Sequence, residues 1–271
     1  MQRTSVLDVG AYREFCYSAS RYSEVFQNFK RHPICLWSVE YAKDVTGRDY
    51  LLKILNNPSC RFSVDQWRKF LQNDAVGNPI TSTYNFPDGF KLICSPTTLR
   101  YIKVLSDIVT YFDTDKIKNV AEIGVGYGGQ CRILKNFLKL DTYNLIDLPE
   151  TLALSERFLN VFSSPEYSGE GKDLRFIDGT HLYHDVESDF FLSNYAFSEL
   201  QKSVQDSYIE KVISKSKAGY ITWDGEFSRS YYGIDVYPLE EFLKKIPSPK
   251  VIPEDPVSTS PNNCIVMWGV K

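Results

Sequence analysis

The chain has 271 residues, of which 43% are hydrophobic and 24% charged, with a formal net charge of -3. This length suits one large domain, or one domain with a sizeable extension, and excludes a staple-dependent mini-scaffold. No window approaches the ~20 apolar residues of a membrane helix, so no integral membrane segment is expected.

Residues 1–95 carry 12 Lys+Arg against 9 Asp+Glu, and the remainder 19 against 25. Neither part forms the basic surface of a nucleic-acid binder, so no nucleic-acid partner is expected. The opening MQRTSVLDVG lacks the basic, apolar and small-residue regions of a signal peptide, which points to a cytoplasmic protein. Cys16, Cys35, Cys60, Cys94, Cys131 and Cys264 are scattered without a CxxC pair, as buried free thiols would be.

Residues 1–95 are expected to form a mostly helical accessory or cap segment. It holds 15 of the 39 aromatic residues, including Tyr12, Phe15, Tyr17, Tyr22, Phe26 and Phe29 at spacings compatible with one helical face. Such a face can be a seam docking the segment on the main domain, a substrate-stacking surface, or a contact between two copies in a homodimer. Asn56-Asn57-Pro58, Gly77-Asn78-Pro79 and Pro87-Asp88-Gly89 are turn signals that divide it into short helices and irregular stretches. His32, between Arg31 and Pro33, reads as a loop residue.

Ser95-Pro96 reads as a helix cap followed by a first-turn proline, opening an amphipathic helix to about Phe112. Beyond it, short apolar runs alternate with helical patterns. Predicted strands are 119–124, 142–147, 174–178, 189–194, 219–223, 250–252 and 264–270. Predicted helices are 128–140, 150–162, 197–214 and 239–246. The order β-α-β-α-β-β-α-β-α-β-β predicts an α/β fold, a mostly parallel sheet with helices on both faces, over residues 96–271.

The sharpest motif is Val120-Ala121-Glu122-Ile123-Gly124-Val125-Gly126-Tyr127-Gly128-Gly129, a strand entering a glycine-rich turn and then a helix. Glycines there let a cofactor approach the backbone near the helix N-terminus. The next strand ends in Asp147, 23 residues beyond Gly124, where a carboxylate can accept both ribose hydroxyls. The third ends in Asp178, placed to receive an amino group such as that of adenine. Glu122 would repel a pyrophosphate but attract a cationic ligand or orient the turn, which favours a nucleoside carrying an amino acid over a dinucleotide.

This constellation resembles the class I S-adenosylmethionine-dependent methyltransferases, with a Rossmann-like sheet over 96–271. The resemblance implies S-adenosyl-L-methionine as cofactor. The turn around Gly124, Gly126 and Gly128 would hold the methionyl part, Asp147 the ribose, and Asp178 the adenine edge. Glu122, Leu148, Gly179 and Asn194 belong to the same implied cofactor site. Asp147-Leu148-Pro149-Glu150 and Ser193-Asn194-Tyr195-Ala196-Phe197-Ser198-Glu199 are similar, more narrowly, to sugar O-methyltransferases of bacterial surface-polysaccharide synthesis. Leu148-Pro149 also resembles plant-type small-molecule O-methyltransferases.

The acceptor is then expected to be a small molecule or glycan approaching the loops after the fourth and fifth strands. His181, Glu199 and Asp224 are the candidate bases. Each has a plain alternative: His181, with His184, as a surface or packing residue; Glu199 as a helix-start acid; Asp224 as a turn acid. No metal is assigned. Tyr195, Arg229 and Tyr231 are candidate acceptor contacts, since aromatics suit sugar ring faces and Arg229 suits phosphates. Glu226 lies in the same stretch. Pro253–Asn263 reads as a mobile connection. A methyltransferase for another small acceptor, a nucleoside-binding protein without turnover and a nicotinamide oxidoreductase, whose glycine fingerprint fits less well, are the remaining readings.

Overall fold

The computed structural model describes residues 10–85, 91–162, 173–224, 228–230 and 233–271. The first part is built from short helices α1 (Gly10–Arg21), α2 (Ser23–Gln27), α3 (Pro33–Ser38), α4 (Asp44–Leu55) and α5 (Val64–Leu71). His32 is the N-cap of α3, its Nδ1 accepting from Ile34 N at 3.3 Å, with Phe15 stacked on its ring. Ser63 and Gln66 form a reciprocal capping box that starts α5.

An antiparallel hairpin, β1 (Ser82–Asn85) with β2 (Lys91–Cys94), corrects the expectation of irregular chain here. Its strands have only four residues each, too short for a clear alternation to register in the sequence. The turn signal at Pro87-Asp88-Gly89 lies outside the described residues.

The Ser95 cap forms as expected: its Oγ accepts from Thr98 N at 3.1 Å, and α6 runs over Pro96–Tyr111. Asp74 reinforces that end, accepting from Ser95 N, Ser95 Oγ and Thr98 Oγ1.

Seven strands follow: β3 (Asn119–Ile123), β4 (Thr142–Asp147), β5 (Asp173–Asp178), β6 (Ser188–Asn194), β7 (Ser216–Trp223), β8 (Lys250–Pro253) and β9 (Cys264–Trp268). They form one sheet in the order β5-β4-β3-β6-β7-β9-β8, with β9 antiparallel to both neighbours and the first five strands mutually parallel. The helices between them are α7 (Gly129–Lys135), α8 (Pro149–Asn160), α9 (Lys202–Lys211) and α10 (Leu239–Leu243). This is a mixed α/β fold built on one seven-stranded, mostly parallel sheet with helices packed against it.

Alternate residues of each strand face opposite sides of the sheet, and two apolar cores result. Val120, Phe190 and Ile265 enter a core shared with α6, α7, α8 and the N-terminal helices. Ala121, Phe191 and Val266 enter the other, shared with Tyr208 of α9 and Phe242 of α10.

Tyr12, Phe15 and Phe29 are buried in the first core, so these aromatics serve as a seam, while Tyr17 and Tyr22 are exposed. Arg13 clamps α1 to α8 through a bidentate pair with Glu150, at 3.1 and 2.9 Å. All six cysteines are buried.

The helix expected over 197–214 is broken. Ala196–Glu199 is a 3-10 turn, Leu200 is extended, and α9 begins at Lys202. Side chains satisfy the freed backbone groups, Ser193 Oγ accepting from Phe197 N and Gln205 Nε2 donating to Phe197 O.

Among the described residues no helix is long and apolar enough to cross a membrane.

Candidate active site

From β3 the chain passes first to β4 on one side and later to β6 on the other. The loops leaving β3 and β6 therefore diverge at their carboxyl ends, which opens a crevice at the switch point. A cavity of about 570 Å³ lies there.

The glycine turn forms its floor. Gly124 and Gly126 both adopt positive φ, +74° and +54°. A Cβ on Gly124 would stand 2.0 Å from Ala196 Cβ, so only glycine lets the β3 and β6 loops meet. Gly128 does different work: it is the left-handed N-cap of α7, backed by Ser155 and Leu159, and it does not line the cavity.

Asp147 joins this turn to β4. Its Oδ2 accepts from Gly126 N at 3.3 Å and its Oδ1 from Leu148 N at 2.7 Å, while burial pushes its pKa up to about 6. Leu148 and Gly179 line the cavity beside it. Asp178, paired in register with Asp147 across β4 and β5, turns away: its Oδ1 accepts from Thr180 N and Thr180 Oγ1, and it is absent from the lining.

Glu122 is buried under the turn and lines the cavity; Tyr143 Oη donates to its Oε2. Desolvation pushes its pKa up to about 8. At the end of β6, Asn194 Nδ2 donates to Gln130 Oε1 at 3.4 Å and its Oδ1 accepts from Thr222 Oγ1 at 3.3 Å. Tyr195 follows at φ +67°, its phenol bonded to Glu254 and its ring edge-on to Tyr41.

Glu199 and Asp224 reach the cavity from the loops after β6 and β7. Asp224 is 5% exposed; its Oδ2 accepts from Thr259 Oγ1 at 3.0 Å, and its buried Oδ1 has no partner among the described residues. Burial raises its pKa to about 6. Burial and the neighbouring Asp224 charge raise Glu199 to about 8. Glu199 is the last residue of the 3-10 turn Ala196–Glu199, ahead of the start of α9 at Lys202. Thr259 ties the Pro253–Asn263 connection to the site, helped by Asn263 Nδ2, which donates to Thr259 Oγ1 at 2.7 Å.

His181 is exposed beyond β5, stacked on Tyr183, and is absent from the cavity lining, as is His184. Arg229 donates to Val236 O at 3.2 Å and is likewise absent from the lining. Tyr231 and Glu226 lie outside the described residues. Among the described residues no group of three or more His, Cys, Asp or Glu is arranged to hold a metal ion.

The N-terminal segment supplies the wall that sequence reasoning left unassigned. Tyr12 and Arg13 from α1, Trp37 and Ser38 from α3, then Val39 and Tyr41 line the cavity. Arg100 and Tyr101 of α6 complete this side. The aromatic density of residues 1–95 was the available signal, but nothing in it marks which rings turn toward the sheet.

No protein-family model matches the chain, nor does any curated protein sequence. Among solved structures, it is similar to the methyltransferase domain of bacterial CtHen1, at 14% identity and TM-score 0.47, over 62% of this chain and 96% of that one. It is similar to a methyltransferase from Clostridium acetobutylicum described as S-adenosylmethionine-dependent, at 12% identity and TM-score 0.44, over 62% and 88% of the two chains. A Haloferax volcanii complex of the Trm112 activator with a methyltransferase gives 11% identity and TM-score 0.45, over 62% and 89%.

Proposed function

We propose that the chain is an S-adenosylmethionine-dependent O-methyltransferase whose acceptor is a sugar hydroxyl. The observation that carries this reading is the meeting in one cavity of a glycine turn, Asp147 and an Asp224 oxygen without a partner among the described residues.

The lining fits the cofactor's chemistry. Gly124, Val125 and Gly126 line the cavity, so the turn presents its backbone to the methionyl part. Glu122 offers the ammonium group a carboxyl whose ionised form that cation would favour, and Asp147, beside Leu148 and Gly179, suits the ribose hydroxyls. When bound, S-adenosylmethionine supplies a reactive sulfonium methyl.

The protein's remaining tasks are alignment and removal of one proton. Asp224 is suited to the second. Thr259 fixes one carboxylate oxygen, and Oδ1 has no hydrogen bond among the described residues, so an acceptor hydroxyl there would gain a partner and meet that requirement. Between about pH 6 and 8, Asp224 is ionised while Glu199 keeps its proton, so the pair presents one acceptor and one donor. Trp37, which lines the cavity with 51% of its surface exposed, offers an apolar ring for a sugar face. With Tyr41 and Tyr195 it supports a glycan or activated-sugar acceptor. The N-terminal segment is then a cap that shares in the site.

The test is transfer of isotope-labelled methyl from S-adenosylmethionine to a panel of free, lipid-linked and nucleotide-linked sugars, with phenolic and amine acceptors alongside. Label on a sugar oxygen, lost in Asp224→Asn, supports the proposal. Label only on phenols or amines overturns the sugar acceptor. Cofactor binding without transfer to any member favours a noncatalytic protein.

A further inference from the structure

Two arginines line the cavity, and they differ in partners. Arg13 is held bidentately by Glu150. Arg100, on α6 and only 7% exposed, meets no carboxylate among the described residues. Its Nη1 donates to the Tyr41 phenol and its Nη2 to Val39 O at 3.5 Å, while its buried Nε–H has no acceptor among the described residues. Its other neighbours are ring faces: its guanidinium carbon is 4.9 Å from the Tyr41 centroid, 5.1 Å from Tyr101 and 5.7 Å from Tyr195.

A guanidinium has five N–H donors and a permanent charge. Here it has two neutral acceptors and three aromatic rings, a setting that positions a cation without neutralising it. A buried charge without a counter-charge is unfavourable, and one that lines a binding cavity is relieved when a ligand brings the opposite charge. The adjoining wall adds a second observation. Val39, whose carbonyl Arg100 contacts, lies beside Gly126, while Tyr195 leads toward Glu199 and Asp224. Arg100 thus stands where the nucleoside side of the cavity meets the acceptor side.

We propose that Arg100 is the anion anchor of this cavity and takes a carboxylate or phosphate group of a bound ligand. This rests on the methyltransferase reading for the identity of the ligands. The anion has two possible sources: the amino-acid carboxylate of the cofactor, or an acidic group on the acceptor, as in a uronic acid or a sugar phosphate.

The experiment uses the full chain labelled with ¹⁵N-arginine, with the Arg100 Nε–Hε resonance assigned by its absence in Arg100→Lys. It is titrated with S-adenosylhomocysteine, with 5′-methylthioadenosine, which lacks the amino-acid part, and with inorganic phosphate added to the S-adenosylhomocysteine-loaded protein. Movement with S-adenosylhomocysteine but not with methylthioadenosine assigns the anion to the cofactor; at least a tenfold loss of S-adenosylhomocysteine affinity in Arg100→Gln, with methylthioadenosine affinity unchanged, is then expected. Movement only with phosphate assigns it to the acceptor. No movement with either anion overturns the proposal, and because this is read on the wild-type chain it does not depend on the variants folding. If calorimetry shows that neither nucleoside binds while phosphate still moves the resonance, the methyltransferase reading fails and the anion site stands.

Discussion

The backbone N–H of Gly126 donates to Asp147 Oδ2 at 3.3 Å, tying the glycine turn after β3 to the end of the neighbouring strand β4. One carboxylate therefore both shapes the turn and faces the cavity. Asp147→Ala removes both functions. With hydrogen bonds to a charged group worth about 1.5–3 kcal/mol, S-adenosylhomocysteine affinity is expected to fall roughly 10- to 150-fold. Equilibrium dialysis on a variant with wild-type far-ultraviolet circular dichroism checks this, and an unchanged affinity would remove Asp147 from the site.

Asp224 must be ionised to accept a proton, so kcat/KM should rise as pH increases through about 6. Asp224→Asn should lower kcat by about 10²- to 10⁴-fold, the usual range for a general base, and abolish that acidic limb. S-adenosylhomocysteine affinity should stay within about threefold, a factor worth less than the ~1.4 kcal/mol of a tenfold change. A pH-rate profile of the two proteins decides the matter. A limb that persists in the variant would assign the proton transfer elsewhere.

Glu122 gives a prediction about stability. Burial raises its folded pKa to about 8, above its unfolded value, so its contribution is greatest at acid pH and is lost as pH rises through about 8. Within that window one such group changes stability by about 1.4 kcal/mol per pH unit. Glu122→Gln keeps an acceptor for Tyr143 and removes the titration. The variant should come close to wild type near pH 5 and exceed it by roughly 4 kcal/mol at pH 8.5 in urea unfolding, about 1.4 kcal/mol for each pH unit up to the folded pKa. Parallel pH dependence in both proteins would contradict this.

Gly124→Ala should destabilise the fold by roughly 2–3 kcal/mol, combining positive-φ strain with the collision of its Cβ at 2.0 Å from Ala196 Cβ. Ala196→Gly removes the colliding atom but not the strain. The double variant should recover part of the lost Tm, as differential scanning calorimetry would show; simple additivity would show that the two loops do not meet.

Trp37 tests the role of the N-terminal wall. Trp37→Ala should raise the acceptor KM by about tenfold, consistent with loss of ring stacking worth about 1–2 kcal/mol. S-adenosylhomocysteine affinity should be unaffected. An unchanged KM would make this ring a surface feature.

Much of the sheet was legible because strand and helix carry different periods, and because glycine at 124, 126 and 128 marks a turn that larger residues cannot make. The strand ends were legible for the same reason: Asp147, Asn194 and Asp224 terminate or follow apolar runs. The direction of each side chain was not. Asp178 ends a strand as Asp147 does, yet an Asx-type turn to Thr180 takes its carboxylate away from the cavity. His181 follows three residues later and is carried into solvent. Arg100, Tyr41 and Trp37 reach the site only through packing of α3, α4 and α6, contacts between distant segments that no local spacing encodes.

The measurement that tests the central claim most directly is calorimetric titration of cofactor-free wild-type protein with S-adenosylhomocysteine. The expected result is saturable one-to-one binding, competed by S-adenosylmethionine and not by a nicotinamide dinucleotide. A folded, demonstrably ligand-free protein that gives no binding heat and no competition would contradict the assignment of the cavity to this cofactor.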